Sequence, residues 1–269
     1  MKKRALVGVI MPSFNSEKYI ATAIRSVLEG TFRNFELIVV DGGSRDRTLK
    51  IVRDFGASDP RVRLILNQDD RGPAHARAAG VRACRAKYVA FLDADDCWRR
   101  TKLEAQVHFM EEKRLDFTYT LYRHLSDDGQ RTSGVVPLIR ASYGFRQALC
   151  LRGIGTLTVM VRRELLSEDV LSAWRRDGGE EMLWWLTVLR KGARAWLLPQ
   201  DLAFYRDTDQ SLSKRRIHTL RSVWEIYRKD LGLGWVASSS CYASYFVDSG
   251  VRNLLLVADK RWRSLWVQS

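Results

Sequence analysis

Residues 88–96 read Tyr88-Val89-Ala90-Phe91-Leu92-Asp93-Ala94-Asp95-Asp96. Five mostly apolar residues run straight into a segment holding three carboxylates. An unbroken apolar run of this kind predicts a strand buried on both faces. In an open α/β sheet, ligands collect at the carboxyl ends of the strands. The stretch therefore predicts a carboxylate cluster at the lip of a buried sheet. Asp93 and Asp95 are two apart, so a short turn can aim both at one hard cation. Like charges this close are unfavourable unless a metal or hydrogen bonds compensate them. Alternatively, Asp96 caps the following helix and the other two are solvated turn residues. Spacing alone leaves both readings open.

The same pattern recurs upstream. The apolar run 5–11 leads into Pro12-Ser13-Phe14-Asn15, Phe35–Val40 into Asp41-Gly42-Gly43-Ser44, and Val62–Leu66 into the loop 67–73. Helical periodicity fills the gaps. Ser16 caps a helix to about Leu28, with Ile20, Ala23, Ile24 and Val27 on one face. Ser44 or Asp46 caps a second, with Leu49, Ile51, Val52 and Phe55 inward. An Ala-rich third helix runs to about Ala86. Four strands alternating with helices predict a parallel sheet. The loops after three of these strands then share one sheet edge.

Those loops differ in chemistry. Phe14 offers a flat ring, and Asp41 a lone carboxylate followed by two glycines that permit close backbone approach. GxGxxG and GxxxxGK[ST] are both absent, which argues against a dinucleotide fingerprint and a P-loop. A ring for stacking, an acid for a base or ribose and a carboxylate pair for a metal-bound diphosphate make a coherent nucleotide site.

Downstream, the sequence predicts a helix from about Arg99 to Lys113 and a hairpin of 116–122 with 131–137 around Asp127-Asp128-Gly129. A helix near 141–151 precedes an apolar run at Thr156–Val161. Gly178-Gly179-Glu180-Glu181 opens a Trp-rich helix to about Arg190. A strand at Ala193–Leu198 is followed by Leu202-Ala203-Phe204-Tyr205-Arg206. A basic helix spans Ser213–Asp230, and a helix or helix pair 236–257.

The chain has 269 residues, 46% hydrophobic with nine Trp, enough for a sizeable core and against disorder. Its net charge of +14 predicts an anionic partner, yet the cations are scattered, so a solvated basic surface accounts for most of them. Nucleic-acid motifs are absent, and nucleic acid is not an expected partner. Cys84, Cys97, Cys150 and Cys241 show neither CxxC nor zinc spacing, which fits a reducing cytosol. Cys84 and Cys241 lie in apolar contexts and read as packing residues. The basic start Met1-Lys2-Lys3-Arg4 precedes a run too short for a signal peptide, and no stretch is a convincing membrane span.

Taken together, these stretches resemble family 2 glycosyltransferases of the GT-A fold. The matching residues are Val9–Asn15, Ala23–Leu28, Phe35–Thr48, Gly72, Ala76-Arg77-Ala78-Ala79-Gly80, Tyr88–Trp98 and Lys102-Leu103, in order and interval over roughly the first 110 positions. Glu180–Leu186 resembles the family's acidic pair before a Trp-containing helix, and Leu202–Arg206 the strand after it. The resemblance implies a mostly parallel α/β sheet flanked by helices. Residues 1–212 would form the catalytic domain, 1–110 its nucleotide-sugar half and 111–212 its acceptor half, with a helical extension at 213–269.

It also implies an inverting glycosyltransferase in cell-surface polysaccharide biosynthesis. The donor would be a nucleotide-sugar, a UDP-sugar ahead of a GDP- or dTDP-sugar. The acceptor would be a glycan or lipid-linked sugar. Pro12, Phe14, Asp41, Arg71, Arg77, Asp93 and Asp95 would hold the donor. Asp93 and Asp95 would form a DxD motif carrying Mg2+ or Mn2+. Glu181, or Glu180, would be the general base. Three positions depart from the usual pattern: Gly42 replaces a second acid, Glu-Glu stands for Glu-Asp, and Thr208 stands near a common His. A non-catalytic nucleotide-sugar-binding or scaffold protein of the same fold is the alternative those departures favour. Trp235, Trp262 and Trp266 among Lys and Arg suit a membrane interface, the alternative being a helix packed on the catalytic domain with exposed Arg. A cytoplasmic enzyme, peripheral on the inner membrane face through its C-terminal helices, is the resulting expectation.

Overall fold

The computed structural model describes residues 4–67, 72–136, 140–150, 154–173, 179–208, 216–248 and 250, with the side chains of residues 180 and 216–219 outside that set. The first half alternates as the apolar runs predict. It comprises β1 (Val7–Ser13), α1 (Ile20–Leu28), β2 (Phe35–Asp41), α2 (Thr48–Ser58), β3 (Val62–Leu66), α3 (Pro73–Ala83) and β4 (Tyr88–Phe91). These four strands are parallel, in the order β3-β2-β1-β4. Every residue of β1 and β4 is buried, as unbroken apolar runs require when helices cover both faces. On α1, Ile20, Ala23, Ile24 and Val27 are buried at helical spacing. Helix α3 lies close on the sheet because position 80 is glycine. A Cβ there would stand 2.5 Å from Ile10 Cγ2 and 3.1 Å from Val40 Cγ2.

The second half is less regular. It contains β5 (Cys97–Trp98), α4 (Lys102–Lys113), β6 (Phe117–Ser126), β7 (Thr132–Val135), β8 (Ser142–Tyr143), α5 (Phe145–Cys150), β9 (Met160–Arg162), α6 (Glu168–Leu171), α7 (Glu180–Arg190) and β10 (Ala195–Asp207). Strand β9 is inserted antiparallel between β4 and β6, and β10 lies parallel to β6. The path β3-β2-β1-β4-β9-β6-β10-β5 makes one mixed sheet, with β7 paired to β6 and β8 to β10. Two antiparallel steps restore direction, so β6 and β10 end on the same edge as β1, β2 and β4. The expected strands 193–198 and 202–206 are one element, β10, with register shifts on either side of Asp201. Beyond it come α8 (Arg216–Glu225), a π-helical turn at Ile226–Asp230, and α9 at 235–248.

Two expected caps are corrected. Helix α1 begins at Ile20, not beside Ser16, whose hydroxyl donates to the Phe14 carbonyl at 3.1 Å. Asp96 does not cap α4, which starts at Lys102 after Thr101. The Asp96 carboxylate accepts instead from the backbone N–H of Arg206, 2.8 Å away on β10. It is a cross-sheet anchor.

Candidate active site

The first loop follows β1. Pro12 and Ser13 are buried at the strand end, and the Phe14 ring is about half exposed. Asp41 ends β2 and is almost wholly buried. Its Oδ1 accepts from the Gly43 and Ser44 amides at 3.0 and 2.8 Å, and its Oδ2 from the Ser13 and Ser44 hydroxyls at 3.0 and 2.6 Å. Asn15 joins the same knot, donating its amide to Ser44 Oγ and accepting from the Arg45 amide. These bonds fix the loop that presents Phe14.

The second loop follows β4. Asp93 is partly exposed, while Asp96 is buried. Burial and the Asp93 carboxylate push the Asp95 carboxyl up to about 6. Burial, then Asp95 and Asp93, push Asp96 well above the usual carboxylate range. Asp96 Oδ2 is buried and has no hydrogen-bond partner among the described residues. Buried acids with this little compensation either hold a proton or take a cation as partner. Among the described residues, no group of three or more His, Cys, Asp or Glu side chains is placed to hold a metal alone. Two carboxylates from one short turn suit a hard divalent ion whose remaining positions take ligand or water oxygens.

Arginine supplies the fixed positive charge. Arg77, on α3, is 3% exposed. Its Nη2 lies 2.6 Å from Asp93 Oδ1 and 2.8 Å from Glu181 Oε1. One guanidinium nitrogen thus joins the acidic turn to the start of α7. Glu181 stands in the first turn of α7, where the helix dipole favours an anion. The helix can start there because Gly179 takes φ +77°, and a Cβ on it would meet Ile226 Cδ1 at 2.9 Å. Behind Glu181, Trp184 and Trp185 pack edge-on to Phe91 at 6.2 and 5.6 Å. The Trp185 indole N–H donates to Thr156 Oγ1 at 3.1 Å. Ala74, Arg77, Thr156, Glu181 and the two Trp side chains line a small cavity. Both Trp residues are therefore wall, as their apolar character suggests.

Sequence reasoning gave Arg206 no role. It is 5% exposed, and its Nε donates to the Asp95 carbonyl at 2.7 Å. Its Nη1 donates to the Asp127 carbonyl at 3.0 Å, and its guanidinium stacks 5.0 Å from the Tyr19 ring centre. Asp127 in turn binds Lys18 at 2.5 Å and the Tyr19 hydroxyl. Arg206 therefore ties the acidic turn, the β6–β7 hairpin and the start of α1 together. The available signal was an arginine at the inner end of a strand, in the Tyr205-Arg206 pair. Thr208 is buried beyond it. The structure thus brings Arg77, Asp93 and Glu181 into contact, with Asp95 in the same turn. Arg71 lies outside the described residues, and for Glu180 only the backbone, at the start of α7, is described.

The sequence matches the family model described as Glycosyl transferase family 2 over residues 8–168. A teichuronic acid biosynthesis glycosyltransferase of Bacillus subtilis, TuaG, is 32% identical over 90% of this chain and 95% of its own length. The Escherichia coli UDP-Glc:alpha-D-GlcNAc-diphosphoundecaprenol beta-1,3-glucosyltransferase WfgD is 32% identical over 82% of this chain and 85% of its own. Among solved structures, Staphylococcus aureus TarS with UDP-GlcNAc superposes with a TM-score of 0.67 at 19% identity, covering 89% of this chain and 71% of TarS. The mannosyltransferase PcManGT of Pyrobaculum calidifontis, with GDP-Man and Mn2+, gives 0.66 at 18% identity, covering 97% and 81%. The two superpositions establish the fold, the GT-A arrangement with a helical C-terminal extension. The family match across the acidic turn and the two relatives at 32% identity establish that the chain belongs to glycosyl transferase family 2 and is a glycosyltransferase.

Proposed function

We propose that the chain is an inverting, metal-dependent glycosyltransferase that moves a sugar from a nucleotide-sugar to an acceptor hydroxyl in surface-polysaccharide assembly. The observation that carries this reading is Arg77 Nη2 set between Asp93 and Glu181. It couples a cation-seeking turn to a carboxylate suited to proton abstraction. In this reading Phe14 stacks on the base, and the Asp41 loop, with Pro12 beneath it, faces base and ribose. Arg77 and Arg71 face the diphosphate. Asp95, with Asp93, would hold Mg2+ or Mn2+, which when bound offsets the charge of the leaving diphosphate.

Glu181 takes the proton from the acceptor hydroxyl at a carboxylate oxygen. The freed oxygen attacks the anomeric carbon from the face opposite the diphosphate, and the bond to the diphosphate oxygen breaks, inverting that carbon. Arg77 orients Glu181. Glu180 is the neighbouring alternative for the base. The family members TuaG and WfgD support a polysaccharide role, and WfgD, named for a UDP-Glc donor and a diphosphoundecaprenol-linked acceptor, supports a lipid-linked acceptor and a UDP-sugar donor. GDP- and dTDP-sugars are the other donor candidates.

Peripheral binding to the cytoplasmic face of a membrane completes the proposal. Among the described residues no helix is long and apolar enough to cross a membrane. Helix α9, however, exposes Trp235, Val236, Phe246 and Val247, with Arg228 stacked 4.4 Å from the Trp235 ring centre. Aromatic and apolar side chains fringed by cations suit the interface of an anionic bilayer. The deciding experiment is a thermal-shift screen of UDP-, GDP- and dTDP-sugars with and without Mn2+, followed by transfer assays. One donor is expected to raise Tm only with the metal and to yield the inverted linkage. Stabilisation by none of them would defeat the donor-site reading.

A further inference from the structure

Cys150 closes α5 and Cys241 lies in α9, 91 positions apart in sequence, yet their sulfurs are 3.2 Å apart. Both are free thiols of intermediate exposure, whereas Cys84 and Cys97 are buried. The surrounding packing fixes the approach. Leu149, Leu183, Leu186, Ile226, Tyr227 and Tyr245 form one apolar cluster beside the pair. The Tyr227 hydroxyl donates to the Leu149 carbonyl, one residue before Cys150. A disulfide bond is about 2.05 Å long, so closure asks for a sulfur movement of about 1 Å, within small side-chain adjustment.

We propose that Cys150 and Cys241 form a reversible disulfide that pins the C-terminal helix to the catalytic domain. The co-reactant is a low-molecular-weight disulfide such as oxidised glutathione. One cysteine thiolate attacks it, forming a mixed disulfide and releasing one small thiolate. The second cysteine thiolate then attacks the protein-bound sulfur, closing the Cys150–Cys241 bond and releasing the other. The protein sulfurs lose two electrons to the small disulfide. The two cysteine protons leave with the two small thiols. Burial raises the Cys241 thiol pKa, with Cys150 adding to the rise, so little Cys241 thiolate is present and exchange is slow at neutral pH. The cross-link joins α5 and α9 around the cluster that includes Leu183 and Leu186 of α7, the helix bearing Glu181. The inference does not depend on the donor, the metal or the base.

The test incubates the full chain with excess oxidised glutathione, alkylates the remaining thiols and maps them by intact mass and non-reducing digestion. The expected product has lost two hydrogens, carries no glutathione and joins the Cys150 and Cys241 peptides. Reductant reverses it. Cys150→Ser and Cys241→Ser each abolish the link. Oxidation is expected to raise Tm by about 5 °C and to slow proteolysis within 235–248 several-fold, in the wild type alone. Four free thiols after prolonged exposure, a stable glutathione adduct without the internal link, or cross-linking only between copies would each overturn the proposal. Mass mapping of the wild-type chain decides it even if a serine variant fails to fold.

Discussion

Asp41 and Asp95 follow the two strands that flank β1, on one sheet edge, and both are largely removed from water. Asp41 is met by four hydrogen-bond donors from its own loop and from β1. Asp95 has Asp93 and Asp96 for neighbours, and the Arg206 contact is made to its backbone carbonyl rather than its carboxylate. The first arrangement satisfies a charge and fixes a loop. The second sets like charges side by side, with Arg206 and Arg77 offsetting them in part. Perturbed acids of this kind collect at functional sites. Stability and activity should therefore part company in opposite senses at the two positions.

The largest expected effect is at Asp95. Asp95→Asn should lower kcat/KM by about 10^3-fold or more, as loss of charge stabilisation at a leaving group does. It should also make the ligand-free protein more stable. The folded carboxyl sits at about 6, above its usual 3.8, so the penalty grows as pH rises through that window and is complete at pH 7. Removing the charge should return about 1–3 kcal/mol at pH 7 and nothing at pH 3. Urea midpoints at both pH values, beside a transfer assay, read both effects. A variant that is inactive and less stable would make Asp95 resemble Asp41 and break the contrast.

Glu181 comes next. Glu181→Gln keeps a polar contact for Arg77 but cannot accept a proton, so kcat should fall about 10^2–10^3-fold. Donor-induced thermal shifts should change little, because Glu181 is joined to the donor turn through Arg77, which the variant leaves in place. Full activity in this variant would move the base to Glu180.

The two loops were unequally legible in the sequence. Strand order, the edge shared by β1, β2 and β4, and the Asp93–Asp96 cluster follow from short-range patterns: apolar runs, helical periodicity and polar strand ends. Arg77 could be named through the family resemblance, in the stretch Ala76-Arg77-Ala78-Ala79-Gly80. The partners that matter most for Asp96 could not. Arg206 is 110 residues away and reaches it only because β9 is inserted antiparallel and β10 passes β6 in parallel. Ser16 and Asp96 failed as caps for a related reason. Each has a competing hydrogen-bond partner that a local rule does not weigh. The Cys150–Cys241 approach is invisible in spacing because 91 positions separate the two, and the packed cluster beside them is what brings α5 and α9 together.

Asp41 should show the reverse of Asp95. Asp41→Ala strips the acceptor from two amides and two hydroxyls, and should destabilise the protein by about 2–4 kcal/mol. With the loop loosened, donor KM should rise about tenfold or more while kcat stays within about threefold. Chemical denaturation and saturating-donor kinetics separate the two readouts. A loss confined to kcat, with stability intact, would assign Asp41 to the chemistry and erase the distinction between the loops.

Lys102 supplies the smallest and finest test, because it is a buried group of the opposite charge. It is fully buried in α4, with its ammonium donating to Gln106 and lying 4.3 Å from the Trp98 ring centre. No carboxylate pairs with it among the described residues' ion pairs and hydrogen bonds. Burial pushes its pKa down to about 7, against an ordinary 10.5. Between those values the unfolded chain binds more protons than the folded one, so stability rises with pH across the window. Below pH 7 the full burial penalty is present, and above about 10.5 it is gone. The contribution can reach at most about 1.4 kcal/mol per pH unit. Lys102→Met, similar in length and without the charge, should flatten that slope between pH 7 and 9 and leave transfer activity near wild type. An unchanged slope would mean that the Trp98 face and Gln106 hold the ammonium charged in the fold, compensated as fully as Asp41 is by its four donors.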